Sequence, residues 1–404
     1  MDRDTAVGWA QDAIKAQTKR LVERVLAQEV ERRRSGATVS GPVETLPLIA
    51  VTCATSWECY AITEELVKAR KFRVRALYRT EGTHAAARLE RLKQLTDTSH
   101  PGLLTLRPRT DLSSAKSLTD AFAGCSGVVI YVTANTSKAG KIDSHGNDPA
   151  GGRAAVMRQV EALVAALEAN PTIGLSVMVN YPTDKVHGLV PDAPEPPWFI
   201  QQRLRLPQLF RERGLALTCI HRPAYYYAMH RVDYTAQADI RGKTELSRTM
   251  ICESNMPGIM EPDFVVNWVD VRDVGKWCGT CFEYPEVFRN EDLSIASAAL
   301  TGLERAQLAE RVNRHGTTFA YKRFPQWLMR SIGLFTQELS YPIQYTEWYN
   351  HRANGYDFAR EEDLKDLDRI HPRWTFEKKL REWGIDEIRP KRAREPALSP
   401  RKAK

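Results

Sequence analysis

The stretch Leu48-Ile49-Ala50-Val51-Thr52-Cys53-Ala54-Thr55-Ser56-Trp57-Glu58-Cys59 decides the architecture. Leu48–Thr52 is a short apolar run suited to a parallel strand buried on both faces. A helix follows over Tyr60–Ala69, and the turn between them sits where a dinucleotide-binding loop belongs in a βαβ unit. Outward from this point the pattern repeats. Strands are read at Arg73–Tyr78, Leu103–Arg107, Gly127–Thr133, Leu175–Asn180 and Ala216–His221. Helices are read between them near Thr83–Leu95, Ala115–Phe122, Ala154–Ala169 and Trp198–Arg213. Such alternation with short connections predicts an α/β fold, a Rossmann-type doubly wound parallel sheet.

Beyond His221 the pattern is less regular. Phe264–Val271 leads into a helix near Val274–Phe282, Ser294–Ala296 reads as a last strand, and Thr301–Arg314 as another helix. Trp327, Tyr341, Tyr345, Trp348, Tyr349, Tyr356, Trp374 and Trp383 cluster late and predict a smaller helical C-terminal lobe. The chain divides into an N-terminal amphipathic helix and linker (1–45), a Rossmann core (46–190), the remainder of the domain with the sheet edge and substrate-side lobe (191–388), and a basic tail (389–404).

Several motifs in order resemble the NmrA-like family, the atypical short-chain dehydrogenase/reductases that include isoflavone-reductase-like proteins. That family's turn reads V-T-G-A-T-G-x-x-G. Here Val-Thr and Ala-Thr are kept, while Cys53, Ser56 and Cys59 stand at the three glycine positions. Val74 to Arg79 is similar to the family's second strand and its terminal arginine. Asp111-Leu112 with Ser117-Leu118 and Ala123-Gly124 resembles D-L-x(4)-S-L-x-x-A-x-x-G. His221-Arg222-Pro223-Ala224-Tyr225-Tyr226 resembles I-L-R-P-A-F-F, and Trp268 to Gly275 resembles W-I-D-V-x-D-I-G. Trp374 to Leu380 resembles the closing T-F-E-E-W-L.

The resemblance implies NAD(P) chemistry, and the turn argues against it. The first glycine permits a tight turn, the second admits the pyrophosphate, and the third lets helix and strand pack closely. Side chains at Cys53, Ser56 and Cys59 intrude on all three functions, and bulky Trp57 beside them could fill the nucleotide groove. The cofactor-contacting set carried over is Cys53, Thr55, Ser56, Trp57, Cys59 and Arg79, read as vestigial. No cofactor is expected. Arg79, at the end of the second strand, would pair with a 2′-phosphate, so NADP(H) is favoured if any nucleotide binds.

No catalytic residue is assigned. Tyr181 and Lys185 have the Tyr-x-x-x-Lys spacing, but Pro182 disfavours a helical turn through Tyr181. The position of the family's helical lysine is taken here by Arg203, which does not titrate near neutral pH. Cys278 and Cys281 have CxxC spacing inside a helix without a second pair, and His221 reads as a packed histidine, so no metal site is expected.

Net charge is +8, concentrated near the ends: Arg32, Arg33 and Arg34, then Lys391, Arg392, Arg394, Arg401, Lys402 and Lys404. Residues 5–34 carry a narrow apolar stripe, Val7, Ala10, Ile14, Leu21 and Val25, suited either to the chain's own body or to a partner. The function expected is a catalytically degenerate NmrA-like pseudoenzyme, a structural or interaction subunit whose residues 1–35 and 389–404 contact an acidic surface. A tubulin-type lattice, a respiratory complex or a ribosome fits such ends. The alternative is an NADP(H)-dependent oxidoreductase or NADP(H)-binding redox sensor. Seven scattered cysteines and no apolar leader favour a reducing intracellular compartment, cytoplasm or cytoskeleton before mitochondrion, and no membrane span is expected.

Overall fold

Burial along the strands orders the sheet. Every residue of β4 (Gly127–Ile130), β5 (Leu175–Asn180) and β6 (Leu217–His221) is buried, whereas β3 (Leu104–Arg107) alternates towards solvent. Continuous apolar strands belong at the centre of a parallel sheet covered on both faces, and half-exposed ones at its edge. The computed structural model describes residues 3–36, 42–79, 85–99, 101–132, 149–180, 198–225, 255–258, 260–323, 325, 327 and 360–389. With β1 (Leu48–Val51), β2 (Arg73–Leu77) and β10 (Asp292–Ser294), the strands form a seven-stranded sheet ordered β10-β6-β5-β4-β1-β2-β3. All neighbours in it run parallel. The order reverses between β1 and β4, and ligand crevices of doubly wound folds open at that switch point.

The helices, in chain order, are α1 (Arg3–Arg34), α2 (Trp57–Ala69), α3 (Ala85–Thr98), α4 (Ala115–Phe122), α5 (Pro149–Glu168), α6 (Trp198–Glu212), α7 (Val271–Glu283), α8 (Pro285–Phe288), α9 (Gly302–Val312), α10 (Lys365–Asp368) and α11 (Phe376–Glu382). One core joins α1, α2, α3 and α7 to one face of the sheet. Another joins α4, α5 and α6 to the opposite face. Helices α2 and α7 meet at Gly275, where a Cβ would fall 2.8 Å from Glu65 Cβ.

Helix α1 belongs to the first layer. Ile14, Leu21, Val22 and Val25 are buried in the core that contains Ile220 of β6 and Leu293 of β10. Arg20 and Arg24 each reach a carboxylate oxygen of Glu291 at 3.2 Å, Lys15 reaches Asp363 at 3.0 Å, and Arg32 pairs with Glu283. The described part of the apolar stripe therefore covers the chain's own sheet. Of the two occupants considered from sequence, the structure places the chain's own body there.

The second half departs from expectation in detail. The seventh strand of the main sheet lies at Asp292–Ser294, two residues before the segment read as the last strand. Asn290, at φ +60, turns the chain into it. Val266–Val269 (β9) is a buried strand of a separate three-stranded sheet with β7 (Ala224–Tyr225) and β11 (Ala298–Leu300). A two-stranded pair joins β8 (Asn255–Gly258) to β12 (Ala320–Arg323). A third core then packs Met256, Val266 and Trp268 against α9, Phe319 and α11, giving the helical C-terminal region its own apolar centre. Of the late aromatics, Trp374 lies under Arg272, whose guanidinium is 3.5 Å from the ring centre, and Trp383 meets Phe376 edge-on. Trp327 is exposed, and the five tyrosines and tryptophans between 341 and 356 lie outside the described residues.

Candidate functional site

The turn after β1 is knitted into the sheet by its own backbone. Thr52 Oγ1 donates to Val129 O at 3.1 Å and accepts from Tyr131 N–H at 2.7 Å, joining β1 to the end of β4. Ala54 N–H donates to Leu77 O at 2.8 Å, joining it to β2. Ser56 N–H donates to Cys53 O at 2.6 Å and closes the turn. These bonds hold Cys53 at φ +53, the left-handed region that glycine occupies at no steric cost. The backbone course that the missing glycine would give is thus kept, at a cost of roughly 1–2 kcal/mol for an L-residue.

The three replaced positions point different ways. Cys53 turns its thiol inward, 3.9 Å from Tyr131 O, and packs against both sheet-face cores. Burial pushes that thiol up to about 12, against the opposing pull of the Arg79 and Arg203 charges. Cys59 is wholly buried and occupies interior space under α2, its thiol also pushed up by burial. Only Ser56 stands at the helix end, where its Oγ accepts from Cys59 N–H at 3.2 Å and caps α2. Thr55 is half-buried beside it, and Arg79 is exposed after β2. The Trp57 side chain lies outside the described residues.

Arg203, expected from the sequence at the position of the family's lysine, reaches the end of β4 from α6. Its Nη2 donates to Val132 O at 2.9 Å, and its guanidinium lies 5.0 Å from the centre of the Tyr131 ring. Asn180, the last residue of β5, donates to Arg203 O at 2.7 Å and fixes this part of α6 over the strand ends. Arginine stays charged across the working range of enzymes, so this group can attract an anion but cannot relay a proton. Tyr181 and Lys185 lie outside the described residues.

Beneath the turn runs a buried ion pair that sequence reasoning missed. Glu58, in the first turn of α2, lies 3.5 Å from Arg222 just beyond β6, and both side chains are nearly sealed from solvent. Among the described residues, neither Glu58 oxygen has a hydrogen-bond partner. The signal available was an acidic residue between Trp57 and Cys59 in an otherwise apolar start to the helix. Its partner stood in the His221-Arg222-Pro223 motif without an assigned role.

The remaining candidates sit elsewhere. Cys278 and Cys281 are buried within α7, with thiols raised by desolvation. His221 closes β6 and faces Asp292 of β10 at 3.7 Å.

The overall fold matches known structures along most of the chain. NmrA, a negative transcriptional regulator, superposes with a TM-score of 0.58 at 16% identity, covering 85% of this chain and 97% of that one. The NADP(H) complex of triphenylmethane reductase from Citrobacter sp. gives 0.56 at 16% identity, with 83% and 99% covered. Pinoresinol-lariciresinol and phenylcoumaran benzylic ether reductases, related to isoflavone reductases, give 0.58 at 15%, with 83% and 98% covered. This chain has the NmrA-like fold. No protein-family profile matches the sequence, and no curated protein matches it. At such identities the likeness is one of architecture. Ser56 spends its hydroxyl on capping α2, and Arg203 offers a permanent positive charge but no titratable proton.

Proposed function

We propose that this chain is a catalytically degenerate member of the NmrA-like proteins, serving as a structural or interaction subunit of a larger assembly. The observation that carries the reading is Arg203: a guanidinium anchored on Val132 O and stacked on Tyr131 takes the place of the proton-relaying lysine. The self-bonded turn supports it, because Ser56, Thr52 and Cys53 spend their polar groups on the protein itself. The Rossmann body then supplies rigid shape, and the basic stretch 389–404 supplies attraction for an acidic surface such as tubulin, RNA or a respiratory complex. No described helix is long and apolar enough to cross a membrane, and the buried free thiols suit a reducing compartment.

The test is an NADPH and NADH titration followed by fluorescence and thermal shift. The degenerate reading expects no saturable binding at micromolar nucleotide and no turnover with quinone or carbonyl acceptors. Micromolar binding with a raised Tm would overturn it.

A second reading, a non-catalytic NADP(H) sensor, is favoured by one observation. The turn keeps the left-handed conformation at Cys53, and the charges of Arg79 and Arg203 both act on it. Triphenylmethane reductase has been seen with NADP(H) and NmrA with NAD on this fold. Binding without turnover in the same titration would select this reading.

A further inference from the structure

The end of β6 and the edge strand β10 carry three potential metal ligands at one point. Cys219 and His221 are two residues apart on β6, so both side chains project from the same face of the sheet. That face is the one on which Leu217 packs in the α6-side core, while Ile220 packs on the other. The register sets Asp292 directly opposite Cys219. A thiol, an imidazole nitrogen and a carboxylate oxygen thereby come within 4.8 Å of one another. His221 Nε2 is 3.7 Å from Asp292 Oδ1. Ligand atoms bound tetrahedrally at zinc distances are themselves roughly 3.3–3.8 Å apart, so the His221–Asp292 pair already has this spacing, and the thiol lies within 4.8 Å of both.

We propose that Cys219, His221 and Asp292 form a binding site for a zinc-type divalent cation that clamps the edge strand β10 to β6. The donor set is mixed sulfur, nitrogen and oxygen, which suits a borderline ion such as Zn²⁺ or Co²⁺ rather than Mg²⁺ or Ca²⁺. Cys219 and His221 are buried, and Asp292, 23% exposed, provides the route in from solvent. Arg211 donates to Asp292 Oδ1 at 2.6 Å and also reaches Glu291 O, holding the carboxylate in place. A donor behind a ligating carboxylate is the usual means of orienting it. Binding displaces the Cys219 thiol proton, and the imidazole proton where it is present, to solvent, leaving thiolate and neutral imidazole on the ion. A fourth position would be taken by water. The site lies on β6 and β10, apart from the dinucleotide turn, and stands whether or not a nucleotide binds.

The experiment uses the full-length chain, stripped with chelator and titrated with Co²⁺ under reducing conditions. The expected result is one equivalent of Co²⁺ giving a thiolate-to-metal charge-transfer band and intense tetrahedral ligand-field absorption, both displaced by Zn²⁺. Cys219→Ser and His221→Gln, each checked for folding by circular dichroism, should lose the band, and Cys281→Ser should keep it. Zn²⁺ should raise the Tm of the native chain and not that of Cys219→Ser. Absence of a thiolate band in the native chain overturns the proposal. So does a band that survives in Cys219→Ser and disappears in Cys281→Ser, which would place the metal on α7.

Discussion

Arg222 Nη2 stands 3.5 Å from Glu58 Oε2, and this nearly sealed pair links the start of α2 to the end of β6. It crosses beneath the switch point of the sheet, joining the two halves of the doubly wound fold by charge. Removing one member leaves the other charge buried without a counter-ion, which costs about 3–5 kcal/mol, whereas exchanging both for apolar residues is often neutral. Glu58→Ala should therefore lower stability by several kcal/mol in urea unfolding, and Glu58→Leu with Arg222→Met should restore most of it. If the double variant is no more stable than Glu58→Ala, the pair is not the unit that matters.

The glycine positions can be given back. Cys53→Gly with Ser56→Gly relieves the left-handed strain and clears the helix end, while leaving Cys59 in the interior space it fills. If the side chain at Ser56 is what excludes pyrophosphate, NADPH affinity should rise at least ~10-fold over the native chain, about 1.4 kcal/mol. Equal affinity in the two proteins, measured by isothermal titration calorimetry, would place the obstacle elsewhere.

Arg203→Lys tests the other half of the site. A lysine there supplies the residue type of the reductases but loses the planar stacking on Tyr131. With Cys53→Gly and Ser56→Gly also present, hydride transfer from NADPH to an added quinone acceptor should become measurable. A persistent zero rate despite nucleotide binding would show that the missing element lies outside this residue.

His371 should make stability depend on pH. Burial, with Lys276 and Lys71 nearby, lowers its pKa to about 4, and its Nε2 meets Thr280 Oγ1 at 2.6 Å. The unfolded chain takes up a proton near pH 6.5, which the folded chain does not accept until about pH 4. Stability is thus fully present above about pH 6.5 and falls as pH drops towards 4. In His371→Gln the slope over this window should flatten when urea midpoints are compared across pH. An unchanged slope would assign it to other groups.

Helix α1 should be indispensable to the body. Leu21 is wholly buried, so Leu21→Ala should cost about 2–5 kcal/mol. Arg24→Ala, which loses an exposed pair with Glu291, should cost under ~1 kcal/mol. Equal small effects from both, read by thermal unfolding, would mean that α1 is detachable.

The strand-helix alternation through β6 was legible because its signals are local: buried strands read as apolar runs between polar, periodic helices, although the cap at Ser56 starts α2 at Trp57, three residues before the start read at Tyr60. The second half was less legible because short strands such as β7 and β11 gain their pairing from distant segments. The candidate site divided in the same way. Cys53, Ser56 and Cys59 were found by position, but the direction of each side chain depends on whether it faces β4, α7 or solvent. Glu58 with Arg222, and Cys219 and His221 with Asp292, are contacts made by topology across 164 and about 70 residues of chain. No periodicity encodes them.

The seat of α1 on β10 also sets an order for biosynthesis. The first helix leaves the ribosome some 270 residues before the strand it covers, residues 292–294. At ~5–20 residues per second its apolar side waits on the order of tens of seconds for its seat. The nascent chain thus carries an uncovered amphipathic helix until β10 is made. Aggregation of chains arrested before β10 should then begin at this helix.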